Sequence, residues 1–309
     1  MSFRAADAPP AMPVRPVPGG VEVHAPAKLN VFLEILGRRP DGYHDLESLM
    51  VTVDLVDVLT FRDRPGGQIT LSCDDPSLPT DSGNLVVRAA ERLREASGTA
   101  RGAEIDLRKA IPQRAGLAGG SSDAAATLVA LDRLWNLRTP FEGLESLAAG
   151  LGSDLNFFLH APSAVCRGRG ERVEPVRLAG PLHFVLVCPP TGLATADVYR
   201  NLVPPGRTRP LGPTLEALRS CDTAELGRLL FNRLQPVAEI LDPALGRVRD
   251  ALAGLHPPLD GWLMSGSGSA YFGLARDHDA ARNAARQLEP LGLGKVRIAT
   301  CRPPAENAP

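Results

Sequence analysis

The chain has 309 residues, 44% of them hydrophobic and 22% charged, with a formal net charge of −1. That length suits two domains and that composition suits a globular chain able to build a real core. The near-neutral balance excludes a global field for nucleic acid or an anionic membrane surface, so any anionic ligand has to be met by local groups.

Residues 1–20 are rich in Pro and Ala and lack the apolar core of a signal peptide. They read as a disordered tail, with a second short tail at 304–309. No later run reaches the roughly 18 apolar residues of a membrane span. In the stretch AKLNVFLEI, alternation puts Leu29, Val31, Leu33 and Ile35 on one face of a strand. Lys28, Asn30, Phe32 and Glu34 fall on the other, so Lys28 and Asn30 project together. Residues 37–42 then form a loop carrying Arg38, Arg39 and Asp41, with Tyr43 and His44 directly after it. Taken singly, the plain readings are a solvated strand-edge lysine, a loop aromatic and a surface histidine.

A strand is expected over 68–72 and a helix from 84–90, with Asp81, Ser82 or Asn84 as its cap. Another strand over 104–107 runs into Lys109. Residues 111–134 (IPQRAGLAGGSSDAAATLVALDRL) follow, a glycine-rich lead into an Ala/Leu run with helical spacing at Leu128, Leu131 and Leu134. Glycine lets backbone approach a ligand closely, and Ser or Asp at the boundary is what a helix N-cap needs. A helix N-terminus offers free N–H groups and partial positive charge, so this assembly suits phosphate. It is not a Walker loop, since no GKS or GKT closes it, and not a dinucleotide fingerprint. The plain alternative is a glycine-rich loop capping a buried helix.

After a helix over 141–151, the stretch GSDLNFFL places Asp154 between small residues and a strongly apolar run. Asp154 either caps a short buried helix or is a carboxylate held in a partly dry place, fit to act as a base. Residues 164–175 read as a hairpin whose RGRGER turn is too short for an RNA-binding arginine–glycine segment. Composition shifts at 179–181, where the boundary between a domain over 21–179 and one over 180–303 is placed. HFVLVC is a buried-type strand, 189–199 a loop with Thr191 and Thr195, and 204–213 a proline-rich segment. Helices are expected over 214–219, 223–230 and 243–252. Then come a strand, the loop SGSGS with Gly266 and Gly268, a second strand, a helix over 279–288 and a last strand over 296–300. That loop reads either as an easy hairpin turn or as a second close-approach loop. The order after 180 fits a small α+β layer. Five cysteines, scattered and without a CxxC pair, argue for reduced thiols in a cytoplasmic protein over a disulfide scaffold or zinc site. Lys28, Lys109 and Lys295 are the chain's lysines, a bias that reads as genome composition.

PAKLNVFLEI, the glycine–serine loop at 112–126 and MSGSGSAYFG, in this order, resemble the small-molecule kinases grouped as galactokinase, homoserine kinase, mevalonate kinase and phosphomevalonate kinase. PAKLN joined to GRRPDGYHDLES, then DSGNLVVRAA and GSDLNFFL, are most similar to the branch acting on a cytidine-diphosphate-linked methylerythritol. The resemblance runs from about residue 24 to 302. It implies an α+β, two-domain kinase fold, with an N-terminal ribosomal-S5-domain-2-like domain and a C-terminal ferredoxin-like domain. It further implies phosphorylation by ATP, with Mg²⁺, of the substrate's tertiary 2-hydroxyl in the non-mevalonate isoprenoid pathway.

By the same resemblance Lys28 and Asp154 are the catalytic pair, meeting beside the terminal phosphate, with Asn30 a polar neighbour of the lysine. Tyr43 and His44 receive the cytosine, with Tyr199 a second aromatic and Thr195 a nearby hydroxyl. Gly266 and Gly268 belong to the substrate side. Asn84 and Lys109 lie near the adenosine of ATP. Pro112, Gly116, Leu117, Ala118, Gly119, Gly120, Ser121 and Ser122 form the phosphate loop, and Ser122 is a possible Mg²⁺ ligand. The chain departs from the usual run at Gln113, Arg114, Ala115 and Ala118, where the family has more glycine, and at Asp123, where it often has Asn. An alanine methyl at 115 or 118 requires negative φ. Asp123 adds a charge to the helix's first turn, favouring the dipole and slightly opposing an anionic ligand. A homoserine or mevalonate-type kinase is the nearest alternative, but has no reason for the GYH segment. A non-catalytic ATP-binding sensor is opposed by the presence of both Lys28 and Asp154, and a nucleic-acid module by the lack of a basic stripe. Monomer and homodimer both remain open.

Overall fold

The structure, a computed structural model, describes residues 12–160, 162–203 and 206–303. Residues 1–11 of the expected N-terminal tail and the expected tail 304–309 lie outside the described residues. Strands β1 (Val14–Val17), β2 (Gly20–Arg38), β3 (His44–Arg64) and β4 (Ile69–Cys73) come first. Helix α1 (Leu85–Ser97), β5 (Gly102–Arg108), α2 (Gly119–Trp135), α3 (Phe141–Ala149) and α4 (Leu155–His160) follow. Then come β6 (Ser163–Gly168), β7 (Arg172–Pro175), β8 (Leu182–Cys188), α5 (Thr195–Arg200), α6 (Gly212–Ser220) and α7 (Thr223–Leu229). The chain ends with β9 (Phe231–Asn232), α8 (Gln235–Leu241), α9 (Ala244–Ala253), β10 (Gly261–Met264), β11 (Tyr271–Ala275), α10 (His278–Leu288) and β12 (Lys295–Cys301).

These elements form two compact units, one of residues 12–27, 55–111 and 118–160, the other of 28–54, 112–117 and the described residues from 162 onward. The long strands β2 and β3 contribute to both units.

In the first unit β1 pairs antiparallel with the start of β2, Val14 facing Val23. The end of β3 pairs antiparallel with β5, Leu59 facing Leu107, and β4 adds in parallel. Helix α2 packs against α1, α3 and α4. Every residue from Ser122 to Leu131 is buried, the polar Ser122, Asp123 and Thr127 among them.

In the second unit β6 pairs with the first part of β3 and with β7, and β9 adds in parallel to β2 at Phe32 and Leu33. A separate antiparallel sheet has the order β10-β11-β8-β12. Strand β8, whose unbroken apolar run predicts burial on both faces, sits inside that sheet with Phe184, Val185, Leu186 and Val187 fully buried. Helix α10 presents Ala281, Ala284, Ala285 and Leu288 to β8, β11 and β12, and Asp277 caps it by accepting from the Ala280 N–H at 2.7 Å.

Three expectations change. Val14–Val17 is strand, with Met12 and Val14 buried, so the stretch after residue 11 is not a tail: alternate apolar residues find a partner in β2. Within 189–199, read as loop, Thr195–Arg200 is helix α5, held by burial of Val198. Helix α8, begun by Pro236 in its first turn, precedes α9 and was absent from the pattern. No helix of the described residues is long and apolar enough to cross a membrane.

Candidate active site

In the second unit Lys28 and Asn30 are 3% and 1% exposed, which rejects the solvated strand-edge reading. As the alternation of β2 predicts, they project together: the Lys28 ammonium donates to Asn30 Oδ1. Asn30 Nδ2 donates to Ser48 Oγ at 2.8 Å, and Ser48 Oγ donates to the Phe32 carbonyl at 2.8 Å.

Two loops close on this pair. Residues 112–117 bring Leu117, whose carbonyl accepts from the Lys28 N–H at 3.1 Å, and Gly116, whose carbonyl accepts from Ser265 Oγ at 3.0 Å. The Ala270 N–H donates to the Ala115 carbonyl at 3.0 Å. The SGSGS loop joins β10 to β11, and Gly266 approaches so closely that a Cβ there would lie 3.0 Å from Lys28 Nζ and 3.3 Å from Asn30 Oδ1. Asn232 holds it, donating from Nδ2 to the Met264 and Gly266 carbonyls, both at 2.7 Å. Gly268, at φ 86, belongs to the same loop, which is therefore more than an easy hairpin turn. Pro112 stands at the other end of the glycine segment, half-buried.

The aromatic residues also meet. The His44 and Tyr199 rings lie 5.2 Å apart and are tilted by 37°. Tyr43 is 55% exposed, with the Arg169 guanidinium 5.0 Å over its ring. Burial, and then the charge of Arg38, holds the His44 imidazole below its ordinary pKa, which favours the neutral ring with one donor and one acceptor nitrogen. Thr195 Oγ1 and Ser267 Oγ share a hydrogen bond at 2.9 Å.

In the first unit α2 begins at Gly119, and Ala118, at φ 55 and ψ 34, stands at the N-cap with no side-chain cap bond. Two expectations are thereby corrected. Ser121, Ser122 and Asp123 are not the cap: Ser121 and Ser122 lie in the first turn with Gly119 and Gly120 and Asp123 just beyond it, because left-handed backbone at 118 turns the chain into the helix earlier. Alanine at 118 also does not keep negative φ, and accepts a cost of about 1–2 kcal/mol. Ser122 Oγ is buried and lacks a hydrogen-bond partner.

Lys109 is held by two carboxylates, Asp57 and Asp123, the latter at 2.7 Å. Asp57 is fully buried and also accepts from the Ala110 and Ile111 N–H groups at 2.6 and 2.9 Å. Burial works against the lysine charge, but Asp123 and Asp57 outweigh it and raise its pKa. Burial of Asp123, opposed by Lys109 and reinforced by Asp57, pushes its carboxyl up to about 7. Asp123 therefore does not put a charge in the first turn of α2, as expected from the sequence, because the helix begins at Gly119; its carboxyl faces Lys109 instead. Asn84 caps α1: its Oδ1 accepts from the Val86 N–H at 3.0 Å and its Nδ2 donates to the Pro79 carbonyl at 2.8 Å. Asp154 is half-buried immediately before α4.

Ser48, Asn232 and Asp57 carry much of this geometry and were not singled out in the sequence. Asp57 left a trace, an acid inside the apolar alternation of VDLVDVLTF. Ser48 lies in the GYHDLES motif, and Asn232 left no local signal. Among the described residues no cluster of three or more His, Cys, Asp or Glu could hold a metal ion.

Family models for the GHMP kinases N terminal domain and the GHMP kinases C terminal match residues 84–161 and 214–291. A 4-diphosphocytidyl-2-C-methyl-D-erythritol kinase of Pelotomaculum thermopropionicum is 44% identical over 263 residues, 84% of this chain and 91% of that protein. A crystal structure of 4-(cytidine 5'-diphospho)-2C-methyl-D-erythritol kinase superposes with a TM-score of 0.76 at 39% identity, covering 91% of this chain and 99% of the other. A homoserine kinase from Cytophaga hutchinsonii shares the fold, with a TM-score of 0.73 at 21% identity over 94% of this chain and 97% of its own.

Proposed function

Since the chain belongs to the GHMP kinase family, in the branch of the 4-diphosphocytidyl-2-C-methyl-D-erythritol kinases, we propose that it transfers the γ-phosphoryl group of ATP to the 2-hydroxyl of 4-(cytidine 5'-diphospho)-2-C-methyl-D-erythritol. The products are the 2-phosphate and ADP. The α+β, two-domain kinase fold expected from the motifs is that of the family. The observation that carries the reading is Lys28: a lysine at 3% exposure, aimed by an amide and packed under two glycine loops, is built to meet a charge.

Phosphoryl transfer needs positioning and charge stabilisation more than covalent help. The Lys28 ammonium meets the charge that spreads over the transferring group. Asp154 accepts the proton of the acceptor hydroxyl late in transfer, a role worth about 10²–10⁴ in rate. Gly116, Leu117, Ala118, Gly119, Gly120, Ser121 and Ser122 receive the phosphates, largely through backbone N–H groups, while Asn84, Lys109 and Pro112 flank the adenosine. His44 and Tyr199, already ring against ring, and exposed Tyr43 offer the cytosine a flat apolar face and a hydrogen-bonding edge. Thr195, Gly266, Gly268 and Asn30 complete the acceptor side. Mg²⁺ would neutralise charge on the ATP phosphates, and the Ser122 hydroxyl, buried and without a hydrogen-bond partner, is a group that would help hold it.

The test is coupled ADP release with cytidine-diphosphate methylerythritol, mevalonate, phosphomevalonate and homoserine. Turnover is expected with the first alone, and turnover with another acceptor instead overturns the reading. Asp154→Asn is expected to cut turnover by about 10² or more while ATP still binds; near-normal turnover removes Asp154 from its role.

A further inference from the structure

We propose that Ser48 is a positioning residue for phosphoryl transfer, setting the direction of the Lys28 ammonium through the Asn30 amide. The inference rests on the catalytic role given to Lys28 above.

The Phe32 carbonyl can only accept, so the single Ser48 hydroxyl proton, 2.8 Å away, is committed to it. Ser48 Oγ then has only lone pairs for Asn30, and the amide edge facing it at 2.8 Å must be the NH₂ group. That choice leaves Asn30 Oδ1 on the opposite edge, toward Lys28, where it accepts from the ammonium. Which end of an asparagine carries oxygen is decided by its network, and here one hydroxyl decides it. With the amide reversed, an NH₂ group would face the ammonium, two donors against each other.

Everything in the relay is closed to water: Ser48 is fully buried, Asn30 is 1% exposed and Lys28 3%. The groups also sit on a stiff frame. Ser48 lies in β3 opposite Cys166 of β6, and the Asn30 N–H reaches Ser265 Oγ at 3.4 Å, in the loop that packs on Lys28. A hydrogen bond to a charged group in such a place aims it as well as stabilising it.

The experiment compares Ser48→Ala, Asn30→Ala, the double variant and Lys28→Met in full-length protein, with ATP and cytidine-diphosphate methylerythritol as substrates. Ser48→Ala is expected to lower kcat about tenfold with KM for both substrates nearly unchanged. In the Asn30→Ala background the same substitution is expected to add no further loss, because its effect runs through the amide. Ser48→Thr, which keeps the hydroxyl, is expected to stay near the wild-type kcat. Losses that add in the double variant, or a Ser48→Ala kcat within about twofold of wild type, overturn the proposal. If Ser48→Ala does not fold, a Ser48→Thr enzyme as slow as Asn30→Ala overturns it instead. Lys28→Met separates the layers: full turnover there defeats the catalytic reading itself, whereas an inactive Lys28→Met beside a normal Ser48→Ala defeats only the relay.

Discussion

Gly116→Ala puts the packing of the glycine segment to a quantitative test. Gly116 sits at φ 76, and a Cβ on it would overlap the Ser265 carbonyl oxygen, lying 2.9 Å from its carbon and 3.1 Å from the Gly268 nitrogen. Those obstacles are backbone, so no side chain can swing away, and one loop has to retreat by about 1 Å. The retreat endangers the Ser265 Oγ to Gly116 carbonyl bond and the Ala270 N–H to Ala115 carbonyl bond, both at 3.0 Å. Each is worth about 1 kcal/mol, and a methyl at left-handed φ costs about 1–2 kcal/mol more. The sum is about 3–4 kcal/mol, inside the range of severe single substitutions. By differential scanning fluorimetry the thermal midpoint should fall by about 8 °C. Because the same segment is proposed to receive phosphates, KM for ATP should rise about tenfold. A midpoint within about 2 °C of wild type, with unchanged KM, would refute the steric reasoning.

Tyr43→Ala should raise KM for the cytidine substrate far more than KM for ATP in initial-rate kinetics, and equal losses would contradict the cytosine assignment. Ala118→Gly should relieve the left-handed strain while loosening the unfolded chain, leaving a net gain of about 0.5–1 kcal/mol; a lower thermal midpoint would show that residue 118 is not strained. Asp123 gives a pH signature. Its carboxyl is raised on folding from 3.8 to about 7, so the folded state binds the extra proton. That contribution is fully present below about pH 4 and is lost as pH rises through about 7. Asp123→Asn lacks it, so the variant's midpoint should gain on wild type across that window, and parallel pH profiles would count against the assignment.

Local pattern carried the parts of the site that local pattern can encode. Period-two alternation pairs Lys28 with Asn30, an unbroken apolar run marks β8 as an interior strand, and the Ala/Leu run after the glycines marks α2 as a buried helix. Long-range partners left little trace. Lys109 finds Asp57 52 residues back along the chain, and Asn232 reaches Met264 at the end of β10 and Gly266 in the SGSGS loop, 32 and 34 residues away. The start of α2 was misplaced for a related reason: Ser and Asp are the preferred caps, but left-handed backbone at Ala118 overrode the preference. Helix α5 is only six residues long and is fixed by one buried valine, too little periodicity to read.

The chain passes between its two compact units after residues 27, 54, 111, 117 and 161. Neither unit is therefore a segment that a single cut could release. A fragment of residues 180–309 would lack the 28–54 stretch with which it shares a unit, and so is a poor candidate for independent expression. Chimeras with related kinases face the same arithmetic: exchanging one unit intact takes five splice points, so recombination at a single junction would leave at least one unit mixed.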